Sequence, residues 1–269
     1  MMDHPLLGAL AELAPVIDMH AHPPYDPAQV EPLLAAAWRA GIRRIILTQL
    51  GYSAMIPYPT CDEVERGNQA VYDTIARHPG FVFGYVYVNP NLPETPAMLE
   101  DGLARPGVVG IKLWISCRDS VGRLDPVYPV LELAAARQTP VLIHAFYRTG
   151  GNLPGELSPT DIAHLAARFP AVRIVMAHLG GQWRQGVAAV QPYRNVWSDI
   201  SGSRAYLGSV EYAVRLLGVE RVLFGSDAYI RNFTVMLAKV AAAELSAAEK
   251  RRIVWDNSAE LFFAGRAAR

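Results

Sequence analysis

The run Pro15-Val-Ile-Asp-Met-His20 is short and apolar on both alternating faces, and Ala21 and a second histidine, His22, follow it. Unbroken hydrophobicity of this kind suits a strand covered on both faces, as in a parallel sheet. Seven more Val- and Ile-rich runs share this character, at 44–48, 81–88, 108–114, 140–144, 172–178, 196–200 and 221–226. Between them, helices are expected at 28–40, 62–78, 127–137, 158–168, 181–191 and 208–217, with a helical tail over 232–264 that breaks near Ser246. Gly41 and Pro79-Gly80 read as helix stops, and Ser158 with Asp161 and Ser246 with Glu249 as helix starts. Strand starts recur every roughly 20–40 residues, the spacing of strand–helix units with right-handed crossovers. Eight such units close into an α/β TIM barrel, (β/α)8, with 1–269 as a single domain. An open doubly wound sheet is the competitor, but it prefers a glycine-rich phosphate turn after its first strand, and the sequence has none.

Composition narrows the function classes. The chain has 269 residues, 51% of them apolar, with 25 Lys+Arg against 25 Asp+Glu. A chain of this length buries roughly 70% or more of its unfolded surface, so it needs no staple to fold. Zero net charge and the lack of long basic runs argue against a nucleic-acid partner. Cys61 and Cys117 cannot make a disulfide framework and read as reduced thiols of a cytoplasmic protein. No stretch approaches the roughly 20 apolar residues of a membrane helix. The first 16 residues lack the basic start and long apolar core of a signal peptide.

The polar residues stand where strands end. In extended chain His20 and His22 share a face, with Cα atoms about 6.6–6.8 Å apart, and can converge on one ion. A lone histidine in such a place is more often a satisfied core residue; a pair closing a buried strand fits that role less well. His144 ends the fifth run, His178 ends the sixth, and Asp227 follows the eighth. His4, His78 and His164 lie near the terminus or on helices and are expected to face solvent. A barrel gathers its strand ends at one mouth. Histidine and aspartate ligands with an open position there suit a catalytic zinc or a similar first-row ion.

These residues, with Gly110-Ile-Lys-Leu113, Ala177-His-Leu-Gly180, Trp197-Ser-Asp-Ile-Ser201 and Phe224-Gly-Ser-Asp227, resemble the amidohydrolase superfamily. The resemblance is narrower to its amidohydrolase-2 branch, which includes relatives of aminocarboxymuconate-semialdehyde decarboxylase. It implies a metal-dependent barrel in which His20, His22, His144 and Asp227 hold one divalent ion, zinc foremost. Asp227 would also take a proton from the metal-activated water, and His178 would act as acid and base or ligate a second ion. Asp18 is expected to orient a ligand ring. Lys112 stays open among a carboxylated bridge between two ions, a substrate-facing cation and a structural lysine.

Trp114, Tyr147, Arg148, Trp183, Arg204, Tyr229 and Arg231 fall in or just beyond strand-to-helix loops. Such a mouth suits a small carboxylate-bearing substrate, with Lys112, Trp114 and Arg148 as its foremost contacts. The sequence has no Gly-x-Ser-x-Gly elbow, since Gly51-Tyr-Ser-Ala-Met55 fails at its last position. It has no zincin helix motif or phosphate loop either, and Cys117 lacks an activating partner. The expected activity is hydrolysis of a small amide, ester or lactone, with decarboxylation of a small acid as the alternative and a non-catalytic binding barrel as the third reading. The resemblance implies that decarboxylases carry a longer insertion after an early strand, which favours the hydrolase. Homo-oligomers are common among relatives.

Overall fold

The computed structural model describes residues 5–52, 54–114, 124–202 and 205–265. Eight strands run in chain order around one sheet: β1 (Val16–Ala21), β2 (Ile42–Leu47), β3 (Val82–Tyr87), β4 (Val108–Leu113), β5 (Val141–Ile143), β6 (Ile174–Met176), β7 (Val196–Asp199) and β8 (Val222–Leu223). Every adjacent pair from β1 to β8 is parallel. The sheet then nearly closes on itself. Met19 N–H donates to Phe224 O at 3.1 Å, Asp227 N–H donates to His20 O at 2.8 Å, and Ala21 bridges Ala228 in parallel. Eight parallel strands alternating with helices make this a (β/α)8 barrel.

Two apolar shells stabilise it. Met19, Ile46, Tyr85, Val109, Leu142, Val175 and Leu223, one residue from each of seven strands, form an inner cluster with Leu261 and Phe262 of the C-terminal helix. Alternate strand residues such as Val16, Ile45, Val86, Ile111, Ile143 and Met176 belong to the larger cluster shared with the surrounding helices. Strands covered on both sides carry apolar residues at both parities, which accounts for the unbroken runs.

The helices are α1 (Pro5–Ala11), α2 (Val30–Arg39), α3 (Cys61–Arg77), α4 (Thr95–Ala104), α5 (Tyr128–Ala136), α6 (Pro159–Arg168), α7 (Trp183–Val190), α8 (Ser209–Leu217) and α9 (Phe233–Ala241). The tail continues as α10 (Ala247–Arg251), a π-helical turn (Arg252–Asp256) and α11 (Asn257–Phe263). Reciprocal caps form at Ser158 with Asp161 and at Ser246 with Glu249. Two helices are not expected from the sequence, α1 and α4. In α4, Pro96 lies in the first turn, where its missing N–H does no harm. Gly102 reads as a breaker, yet a Cβ there would stand 2.6 Å from Val86 Cγ2 and 2.7 Å from Tyr72 Oη. Close packing of helix on strand requires the glycine.

Strands β5, β6 and β8 are shorter than the runs 140–144, 172–178 and 221–226 because the chain leaves the ladder to present polar groups. His178 and Asp227 both adopt left-handed φ, 61° and 59°. That conformation costs a non-glycine residue about 1–3 kcal/mol and persists where surrounding structure enforces it. Among the described residues no helix is long and apolar enough to cross a membrane, and Cys61 is a free thiol.

Candidate active site

Strand ends deliver His20, His22, His144, His178 and Asp227 to one place. The ring centroids of His20 lie 5.3 Å from His22 and 5.1 Å from His178, and those of His144 and His178 are 5.2 Å apart. Donor atoms of His20, His178 and Asp227 all fall within 4.8 Å of one another. His22 Nε2 lies 3.2 Å from Asp227 Oδ1.

The hydrogen-bond partners set the tautomer of each imidazole. His20 Nδ1 donates to Asp199 Oδ2 at 2.8 Å, and His22 Nδ1 donates to the Thr48 carbonyl at 2.7 Å. His144 Nε2 donates to Glu156 Oε1 at 2.7 Å. Ser201 gives its hydroxyl proton to Asp199 Oδ1, so its oxygen accepts from His178 Nδ1 at 2.8 Å. Each acceptor leaves the other ring nitrogen with a lone pair. Fixing one nitrogen so that the other is free to ligate is how proteins build histidine metal ligands. His22 stands at the edge of the His20–His178–Asp227 donor group, and its Nε2 lone pair faces the Asp227 carboxylate. Two acceptors at 3.2 Å need a proton or a metal ion between them.

Burial pushes His20 down to about 4, aided by the Lys112 ammonium, and holds His144 and His178 below the ordinary imidazole range. Neutral imidazoles are the form that binds metal. The carboxylates behave oppositely. Burial would raise Asp199 and Asp227, but the facing histidines outweigh it and keep both well below the usual carboxylate range. Asp199 is the hub, since its Oδ1 also accepts the N–H groups of His178 at 3.0 Å and Ser201 at 2.9 Å.

The other residues singled out in the sequence have contacts of their own. Among the described residues Asp18 orients no ring: its Oδ1 accepts the N–H groups of Ser226 at 2.9 Å and His20 at 3.2 Å, and its Oδ2 has no hydrogen-bond partner. Burial lifts it to about 7, and Asp199 is the residue that holds His20. Lys112 is 1% exposed, and its Nζ lies 3.1 Å from His20 Nε2. Burial lowers it to about 8. Trp114 stands edge-on to His144 at 6.4 Å and packs with Leu50 and Tyr87. Arg148 makes a two-pronged ion pair with Glu156, at 2.7 Å on both prongs. His164 is exposed, whereas His78 is half-buried against Glu31 at 2.9 Å. His4, Cys117 and Arg204 lie outside the described residues.

Asp199, Ser201, Thr48 and Glu156 are site residues that no sequence motif assigns a role. Asp199 ends β7, so the rule that flags strand-end polar residues applies to it as well. Glu156 has no comparable signal; it sits in a loop 12 residues after His144. Its side chain is fully buried. Burial would raise it, but bonds from His144 and Arg148 bring it down to about 2. Glu156→Ala is expected to cost roughly 1–3 kcal/mol, because it strands a buried imidazole N–H. Urea denaturation reads the loss directly.

An open cavity of about 260 Å³ adjoins the donor set, and His178 is the one of the four histidines on its wall. Phe146, Trp183 and Tyr206 give it aromatic sides, and Arg148 and Lys239 add cations. A (β/α)8 barrel with lone-pair donors gathered at its strand ends, beside an open cavity, is an arrangement that can hold a metal ion next to a small molecule. The amidohydrolase family model matches residues 17–264. The chain belongs to the amidohydrolase family, in its amidohydrolase-2 division.

Solved structures extend the comparison at the level of the fold. The 5-carboxyvanillate decarboxylase of Sphingomonas paucimobilis is 16% identical, with a TM-score of 0.71 over 93% of this chain and 99% of that one. A dihydroxybenzoic acid decarboxylase from a Polaromonas species, with bound manganese and 2-nitroresorcinol, is 16% identical, with a TM-score of 0.68 over 94% and 98%. A probable 2-pyrone-4,6-dicarboxylic acid hydrolase of Acinetobacter baumannii, with citric acid bound, is 16% identical, with a TM-score of 0.66 over 92% and 99%. The search of curated proteins finds no match.

Proposed function

We propose that the protein is a metal-dependent hydrolase of a small, carboxylate-bearing amide, ester or lactone, working in the cytoplasm. The observation that carries this reading is the His22 lone pair facing the Asp227 carboxylate at 3.2 Å, next to a cavity walled by His178. In this reading His20, His22, His144 and Asp227 hold one divalent ion. Zinc suits three imidazoles and a carboxylate, and manganese, bound in the Polaromonas neighbour, is the alternative. When bound, the ion supplies Lewis acidity and makes a proton of water removable near neutral pH.

The chain's own groups do the rest. Asp227 takes the proton of the attacking water, and His178 Nε2, with Nδ1–H held by Ser201, relays it to the leaving group. Asp199 aligns His20 and, through Ser201, His178. Lys112, whose Nζ lies 3.1 Å from His20 Nε2, would offer its ammonium to a substrate oxygen if that nitrogen held the ion. Carboxylation of Lys112 with a second ion is the other reading, and two ions per chain would favour it. Trp114 borders the substrate from the His144 side.

Decarboxylation is the second reading, favoured by the aromatic cavity walls, which suit a ring-bearing acid. There His178 Nε2 relays a solvent proton to the carbon that carbon dioxide leaves. Parallel reactions in oxygen-18 water and in deuterium oxide, over an ester, lactone, amide and aromatic-acid panel, separate the two. Hydrolysis puts one labelled oxygen into the product, whereas evolved carbon dioxide with solvent deuterium on carbon assigns the lyase. Metal-replete protein inert to the whole panel overturns both and leaves a binding barrel.

A further inference from the structure

The cavity beside His178 is lined by two cations, Arg148 and Lys239, and by no carboxylate among the described residues. The two cations are not equivalent. Both prongs of the Arg148 guanidinium rest on Glu156, so that charge is already paired. Lys239, on α9, donates to the backbone carbonyl of Ile200. Among the described residues that carbonyl is its one hydrogen-bond partner, and no carboxylate pairs with it. An ammonium has three donors, so two remain for a ligand.

Its placement ties it to the chemistry. Ile200 precedes Ser201, whose oxygen holds His178 Nδ1 at 2.8 Å. The ammonium is therefore anchored one residue away from the group that positions the proton-transfer imidazole. Burial lowers Lys239 to about 8, with Asp199 opposing the shift, so it remains mostly protonated at neutral pH. A half-buried cation with no carboxylate in direct contact among the described residues is costly unless a ligand supplies a closer charge. Phe146, beside the His178 ring at 5.8 Å, and Trp183, beside Tyr206 at 6.3 Å, give the cavity aromatic sides. A volume of about 260 Å³ suits a compact, one-ring molecule better than a long one.

We propose that Lys239 is the counter-ion for a second anionic group of the substrate, so that the substrate class is a compact, planar dianion with one group at the His/Asp donor set and a carboxylate at Lys239. The first contact rests on the function proposed above; the Lys239 contact stands on the cavity alone. The assignment gives Lys239 the substrate-carboxylate role that its position four residues past His144 suggests for Arg148.

Calorimetric titration of the metal-loaded protein with benzene-1,3-dicarboxylate and with its monomethyl ester tests this. Wild type is expected to favour the diacid by about 10–100-fold, the value of one charged hydrogen-bonded contact. Lys239→Gln keeps a donor for the Ile200 carbonyl and is expected to erase that preference while binding the ester unchanged. Lys239→Arg, which retains the charge, is expected to keep it. Equal binding of the two probes by wild type, binding of neither, or an undiminished preference in Lys239→Gln overturns the proposal. The probes need no turnover. A preserved Lys239-dependent preference in a protein inert to the substrate panel would refute the hydrolase and decarboxylase readings alone, and the converse result would refute only the dianion.

Discussion

Asp227→Asn is expected to lower divalent-ion affinity and turnover at least about 100-fold, since loss even of a residue that supports a ligand costs 10–100-fold. The same change should leave the metal-free protein at least as stable as metal-free wild type. The reason is the geometry at His22. Its Nδ1 is bound to donate to the Thr48 carbonyl, so Nε2 presents a lone pair to Asp227 Oδ1 at 3.2 Å. The Asp227 carboxyl lies below the usual carboxylate range, so it meets that lone pair as a carboxylate. A lone pair and a carboxylate repel unless a cation lies between them. Asparagine has the same shape and puts an N–H where the cation would sit, closing the contact without an ion. Chelator competition reads the affinity and urea denaturation the stability. An Asp227→Asn protein that binds the ion like wild type would refute the assignment of Asp227 as a ligand.

Asp199→Ala is expected to cost roughly 3–5 kcal/mol of folding stability, the magnitude for breaking a buried charged network. Four donors converge on this carboxylate: His20 Nδ1, the backbone N–H groups of His178 and Ser201, and the Ser201 hydroxyl. Removing it leaves them buried without an acceptor and releases the tautomer of His20 and His178 together. Asp199→Asn keeps the shape and one acceptor oxygen, so it should fold close to normally but lose much of the ion affinity. Chemical denaturation of both variants, with metal titration of Asp199→Asn, checks the pair of outcomes. An alanine variant within about 1 kcal/mol of wild type, the worth of a single ordinary hydrogen bond, would show that Asp199 is not the hub.

The barrel is legible in the sequence because parallel strands covered on both faces leave unbroken apolar runs, and all eight runs become strands. The ends of those strands are legible for the same reason: a histidine or aspartate closing such a run marks the point where the chain leaves the apolar wall for the mouth of the barrel. What escapes is whatever depends on contact between distant segments. His20 and Asp199 are 179 residues apart, and no local pattern pairs them. Asp18 looks like the orienting acid because it shares a strand face with His20, yet backbone amides take its carboxylate. Arg148 looks free for substrate until the loop returns Glu156 to it. Lys239 reads as one more helical lysine, since only the folded barrel brings it under the Ile200 carbonyl. Helix α4 escapes because Pro96 and Gly102 signal breaks that the first turn and the tight packing of Gly102 on Val86 make harmless.

The central claim is that the strand-end histidines and Asp227 form a site for one divalent ion. Metal content per chain, by plasma mass spectrometry on wild type and His144→Ala purified and reconstituted side by side, tests it most directly. About one equivalent in wild type, lost in the variant, is the predicted result. No metal in wild type after reconstitution, or equal metal in both proteins, would contradict it.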